Sequence, residues 1–314
     1  MFSRLALSPL APSRPRSVLY RTPSALDFDL THRPAMKRPG RVLLTTPDYF
    51  DVAYVINPHM EGRAGTVDKT EALRQWQAVR ETYDALGLDV HLLDGVAGLP
   101  DMVFCANQTL PYYDPQNDRR GVILSRMHAS ERREEVPYFA GFFSEHGHDV
   151  RELSDAIEGS FEGMGDAIWH PGRRLLWGGH GVRTAPAVYD AVSEMTGAPV
   201  VLLELVDDDF YHLDTCFCPL EEDTALVYPG AFTDDGRALI QRLFEHTIEV
   251  PAVEAREKLA CNAHCPDGEH VLIQRGCEVA LEQLTAAGFT PVELETGEFL
   301  KAGGSVFCMK LMFW

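Results

Sequence analysis

No uninterrupted apolar run in this chain reaches the ~18 residues that a membrane-spanning helix needs, so a soluble protein is expected. Positive charge is scarce as well. Against 47 Asp and Glu stand only 28 Lys and Arg, a formal net charge of −19. That field repels nucleic acid and anionic membrane surfaces and suits a small cationic partner. Cysteine is thin for a secreted disulfide framework: seven residues, an odd number, in a chain of 314. A reducing compartment, and hence the cytoplasm, is the expectation. Also missing are a fixed-period repeat and, within residues 41–314, any linker rich in Pro, Gly or Ser, so that span is expected to form one domain. With 45% apolar and 24% charged residues, the composition leaves ample material for a core.

Residues 1–40 stand apart. They carry Arg4, Arg14, Arg16, Arg21, Arg33, Lys37 and Arg38 against Asp27 and Asp29, a balance of +5 that leaves −24 for the rest. Arginine, serine and few acids suggest an organelle targeting segment. Pro9, Pro12, Pro15 and Pro23 would break the amphipathic helix such a segment uses, so a disordered extension is the preferred reading. From Arg41 onward strands and helices alternate, which predicts an α/β class. Helical spacing of Leu73, Trp76, Val79, Tyr83 and Leu86 predicts a helix over 66–86, with Thr66 as its cap. Further helices are expected over 138–146, 186–195, 236–246 and 278–287. Strands are expected over 41–46, 52–56, 88–93, 102–106, 150–153, 174–177, 200–206, 211–218, 225–228, 271–274, 290–294 and 305–312.

The stretch Tyr211-His212-Leu213-Asp214-Thr215-Cys216-Phe217-Cys218 alternates apolar and polar residues. As a strand it would place His212 and Asp214 on one face, a compact acid/base pair. Burying both without a use would be costly. A group for them to act on is Cys308, in Gly303-Gly304-Ser305-Val306-Phe307-Cys308. A lone cysteine is usually a small core hydrophobe, so its candidacy as a nucleophile depends on His212. Phe161-Glu162-Gly163-Met164-Gly165-Asp166 sets two carboxylates around two glycines, a pattern suited to a planar guanidinium as well as to an acidic turn. Asn107 and Asn57 read first as turn formers. Arg126 and Arg183 are surface ion-pair residues by default and clamps for a substrate carboxylate in the sharper reading. Cys216, Cys218, Cys261, His264, Cys265 and Cys277 supply zinc-ligand types, but at spacings unlike those of structural zinc sites, so no metal is expected.

Taken together, Pro100-Asp101-Met102-Val103-Phe104-Cys105-Ala106-Asn107, Phe161–Asp166, Tyr211–Phe217 and Lys301-Ala302-Gly303-Gly304 with Cys308 resemble the guanidino-group-modifying (amidinotransferase, or pentein) superfamily, over about residues 41–312. The resemblance implies a five-bladed α/β propeller of ββαβ modules with a site on its axis. It implies Cys308 as nucleophile and His212 as general acid/base, with Asp166, Asp214 and Glu162 as carboxylates that hold the guanidinium or position the histidine. Arg126 and Arg183 would bind the substrate carboxylate. No cofactor is implied, and the partner is a small cationic substrate, arginine or a methylated arginine; a homo-oligomer is compatible. Arginine deiminases of the superfamily carry Asp where this chain has Asn107. That Asn, with Ile56-Asn57-Pro58-His59-Met60, is similar to arginine dihydrolases, which yield ornithine, ammonia and carbon dioxide. Alternatives are a dimethylargininase or deiminase giving citrulline, an amidinotransferase, or a non-catalytic ligand-binding protein.

Overall fold

The computed structural model describes residues 17–314. Along the chain run β1 (Leu19–Tyr20), β2 (Arg41–Thr45), α1 (Lys69–Ala85), β3 (Asp89–Leu93), β4 (Thr109–Asp114), β5 (Arg119–Leu124), α2 (Val136–Glu145) and β6 (Asp149–Arg151). There follow α3 (Gly163–Asp166), β7 (Ala167–Trp169), β8 (Leu176–His180), α4 (Val188–Thr196), β9 (Val200–Glu204), β10 (Phe217–Pro219), β11 (Thr224–Val227), α5 (Asp234–Leu243) and β12 (His246–Glu249). The last are α6 (Ala252–Lys258), β13 (His270–Gln274), α7 (Glu278–Ala286), β14 (Thr290–Leu294), α8 (Gly297–Leu300) and β15 (Leu311–Phe313). No helix among the described residues is long and apolar enough to cross a membrane.

One connection pattern recurs. An antiparallel pair leads through a helix to a parallel third strand in β4-β5-α2-β6, in β7-β8-α4-β9 and in β10-β11-α5-β12. The parallel step requires a crossover, which the helix supplies. A fourth copy joins the two ends of the chain: β15 pairs antiparallel with β2, and α1 leads from β2 to the parallel β3. In the fifth, β13 and β14 are parallel across α7, and an isolated antiparallel bridge between His264 and Leu272 stands in for the extra strand. Each α1 turn buries its apolar stripe, with Ala72, Trp76, Val79 and Tyr83 inside. Its cap is Asp68, whose carboxylate accepts from the Thr70 and Glu71 N–H groups; Thr66 lies outside the helix and donates to the Arg63 carbonyl.

Several expectations are corrected. Residues 17–40 do not form a disordered extension. β1 adds to β9 as a parallel edge strand, Tyr20 is buried, and Arg173 donates to the carbonyls of Thr31 and Arg33. Prolines that forbid a helix do not forbid packing of extended chain and 3₁₀ turns on a sheet edge. Residues 1–16, the remainder of that expected extension, lie outside the described residues. Three expected strands are turns: residues 102–106 overlap a 3₁₀ helix at Pro100–Val103, residues 211–218 hold another at Leu213–Thr215 before β10, and of 305–312 only the end enters β15. Residues 52–56 are irregular, and the β4–β5 hairpin was not anticipated. Pro111 sits in β4 opposite Val122.

Candidate active site

Turns, rather than strand faces, bring the chemistry together. His212 immediately precedes the Leu213–Thr215 turn and Asp214 lies within it. The Cys308 thiol donates to Asp214 Oδ2 over 3.3 Å, and Asn262 Nδ2 donates to Cys308 Sγ over 3.1 Å. All four side chains are at most 2% exposed.

The three carboxylates have different work. Glu162 Oε2 accepts from His212 Nε2 at 2.6 Å, its other oxygen accepts from the His128 N–H at 2.8 Å, and Arg183 pairs with it at 3.4 Å. Burial alone would raise Glu162, but the hydrogen bond from His212 and the charge of Arg183 overcome it and hold the acid at about 2. Asp166 spends both oxygens on its own surroundings, one on the Leu213 N–H (2.9 Å) and one on the Thr184 hydroxyl (2.6 Å). It therefore fixes the peptide between His212 and Asp214, and burial lifts it to about 6. Asp214 differs: its Oδ1 has no partner among the described residues, and burial pushes it up to about 7 against the bond from Cys308. A buried carboxylate oxygen left without a donor is the feature a cationic ligand would satisfy.

Arg132 sets the histidine tautomer. It has only donors, and its Nη1 donates to Asn107 Oδ1 at 2.8 Å. That turns Asn107 Nδ2 toward His212 Nδ1, at 3.5 Å. Nδ1 must then accept, which leaves the ring proton on Nε2 to donate to Glu162. The nitrogen with a lone pair is Nδ1. Gly165 makes this approach feasible, since a Cβ there would stand 2.3 Å from Asn107 Nδ2. The Gly303 backbone adopts φ +86°, and a Cβ would lie 2.7 Å from the Tyr211 hydroxyl, which donates to the Gly303 carbonyl at the same distance. Asn57 Nδ2 donates to the Ala302 carbonyl (3.0 Å), tying the 57–60 turn to that loop.

Arg183 belongs to the cluster through Glu162, through the Ile56 carbonyl (2.6 Å) and by lying 5.0 Å above the Tyr211 ring. Arg126 is not brought into it: its guanidinium donates to the carbonyls of Leu153, Ser154, Ile157 and Gly159. The residue that sequence reasoning missed is Asn262. Its Oδ1 accepts from the N–H groups of Ser305 (2.9 Å) and Cys308 (3.2 Å), and its Nδ2 also reaches the Asp214 carbonyl (3.0 Å). It sits inside the run Cys261–Cys265, where attention fell on zinc ligands; the cysteines are free, buried thiols, and Cys218 donates to the Ala263 carbonyl. Asp101, quoted within a motif but given no role, is a second buried acid with neither oxygen partnered among the described residues, and burial raises it. Burial and the adjacent Asp214 hold the Cys308 thiol well above its ordinary range. The sulfur is thus protonated at neutral pH.

The family model described as N,N-dimethylarginine dimethylhydrolase, eukaryotic, matches residues 56–312. The bifunctional arginine dihydrolase/ornithine cyclodeaminase ArgZ of Synechocystis is 37% identical over 273 residues, covering 86% of this chain. This chain spans only 37% of that relative's length. An N(G),N(G)-dimethylarginine dimethylaminohydrolase of Mycobacterium tuberculosis is 36% identical over 88% of both chains. Among solved structures, the N-terminal domain of a cysteine-to-serine ArgZ mutant bound to substrate superposes with a TM-score of 0.80 at 37% identity, covering 87% of this chain and 97% of that one. By sequence, by structure and by its motifs, the chain belongs to the N,N-dimethylarginine dimethylhydrolase family.

Proposed function

We propose that the chain is a cysteine-dependent hydrolase of the guanidino C–N bond of free arginine, of the dihydrolase type, yielding ornithine, ammonia and carbon dioxide. The observation that carries this reading is the buried constellation of Cys308 against Asp214 and Asn262, with His212, two residues before Asp214, held by Glu162. Relatives named arginine dihydrolase support the substrate. A guanidinium bonded to the free oxygen of Asp214 would lower the thiol toward thiolate, so substrate activates its own nucleophile. Sulfur attacks the guanidinium carbon, and the thiol proton ends on His212 Nδ1. His212 passes it to the departing nitrogen as ammonia leaves, then takes a proton from the water that releases the thiouronium adduct. Asn107 can hydrogen-bond both a cation and the neutral ureido group left after one hydrolysis, which supports retention for a second round. Arg183 is proposed to hold the substrate carboxylate. Arg126 joins it only if the 153–159 carbonyls release it.

The five ββαβ modules, with β15 closing on β2, support a five-bladed propeller with this site on its axis. Seven free cysteines support a cytoplasmic location. A second reading, hydrolysis of methylated arginine to citrulline, is favoured by the family match and by the full-length M. tuberculosis relative. Incubation with arginine and with dimethylarginine side by side separates the two. Ornithine with two ammonia per arginine supports the first, whereas citrulline as the end product, or turnover of dimethylarginine alone, removes it.

A further inference from the structure

Lys310 is a buried amine that the proposed chemistry does not use. It is 1% exposed, and its Nζ lies 3.1 Å from the centre of the Phe307 ring. No hydrogen bond or ion pair reaches it among the described residues. Both residues line a cavity with about 660 Å³ of atom-free space, its open mouth included. Trp169 and Trp314, edge to face at 6.0 Å, form one wall.

The charge of this cavity runs against that of the protein. Lys37, Arg38 and Lys310 line it, and among the described residues no Asp or Glu side chain does, in a chain of net charge −19. Arg38 is already paired with Glu221 at 2.5 Å, so the buried cation left without an ion pair among the described residues is Lys310. An amine in apolar surroundings without an anion is costly to keep charged. We propose that this cavity binds a small organic acid, its carboxylate paired with Lys310 Nζ and its apolar body against Trp169 and Trp314. A neutral or cationic molecule of the same shape would leave the amine uncompensated.

The groups facing Lys310 define its pH behaviour. Asp214, Cys105, Cys218 and Cys308 lie near it from inside the protein, and His264 and Arg38 share the cavity. Burial depresses Lys310 to about 7, and burial keeps His264 neutral. An acid pairs with the protonated amine, so binding is strong below that value and weakens as pH rises through it.

The test is thermal unfolding and calorimetric titration of the full chain with benzoate, benzamide and benzylamine at millimolar concentration. Benzoate should bind and raise the melting temperature, and the other two should not. Binding should weaken by about tenfold between about pH 6 and about pH 8. K310M should lose benzoate binding while still melting cooperatively. Should K310M not fold, M36W, which puts a larger side chain into the cavity lining, must abolish the effect. Binding that persists in either folded variant, equal binding of benzamide, or no benzoate binding overturns the proposal.

Discussion

Asn262→Ala tests the residue on which the sulfur's position depends. The substitution removes four hydrogen bonds at once, to Cys308 Sγ, the Asp214 carbonyl, and the Ser305 and Cys308 N–H groups. Two backbone donors and one carbonyl then lie in a dry interior without partners. Each unsatisfied group costs about 1–3 kcal/mol, for a total of roughly 3–9 kcal/mol, and a water entering the void would recover part. A loss near 3 kcal/mol would leave the protein folded. In a chain of this size it lowers the melting temperature by roughly 4–5 °C. The thiol also loses a donor that stabilises its ionised form, so alkylation of Cys308 by iodoacetamide should slow at fixed pH. Urea unfolding measures the first effect and peptide mass spectrometry the second. If Asn262→Ala melts within about a degree of wild type and Cys308 alkylates at the same rate, the role assigned to Asn262 is wrong.

Asp214→Asn should abolish turnover yet stabilise the fold above neutral pH. Burial raises Asp214 to about 7, so its ionised form opposes folding and the cost grows as pH rises from about 4 through that value, up to on the order of 4 kcal/mol; urea midpoints at several pH values read this directly. Glu162 has the opposite sign. Its folded value of about 2 means its contribution is present above the unfolded value and lost as pH falls from about 4.5 toward 2. Glu162→Gln should flatten that acid limb and lower kcat while leaving the fold intact at neutral pH. Asn107→Asp should shift the end product on arginine from ornithine toward citrulline, read by chromatography. Gly303→Ala places a side chain 2.7 Å from the Tyr211 hydroxyl at φ +86° and should cost about 1–3 kcal/mol in thermal unfolding.

Local periodicity made most of the fold legible. Residues 66–86 carry a helical stripe, and 271–274 and 290–294 carry strand-forming runs, so these elements lie within a few residues of where the sequence put them. Pairing partners are long-range and were not legible: nothing near Leu19 announces Val200, and nothing near Met312 announces Val42. The candidate residues were chosen by type, but the strand-face geometry offered for two of them was wrong. His212 and Asp214 were assigned to one strand face, whereas they flank and occupy a turn pinned by Asp166. Asn262 carried no signal of its own, because a single asparagine beside cysteines looks the same whether it caps a turn or holds a thiol. Asp166 was expected to hold the guanidinium or to position the histidine. Its two hydrogen bonds to Leu213 and Thr184 are visible only in three dimensions.

The central claim, that Cys308 attacks the guanidinium carbon, is tested most directly by rapid acid quench during turnover of arginine, followed by peptide mass spectrometry. The account predicts an adduct on the peptide containing Cys308, with the mass of arginine less one ammonia, and no adduct or turnover in Cys308→Ser. An adduct on another cysteine, or turnover that persists in Cys308→Ser, would contradict it.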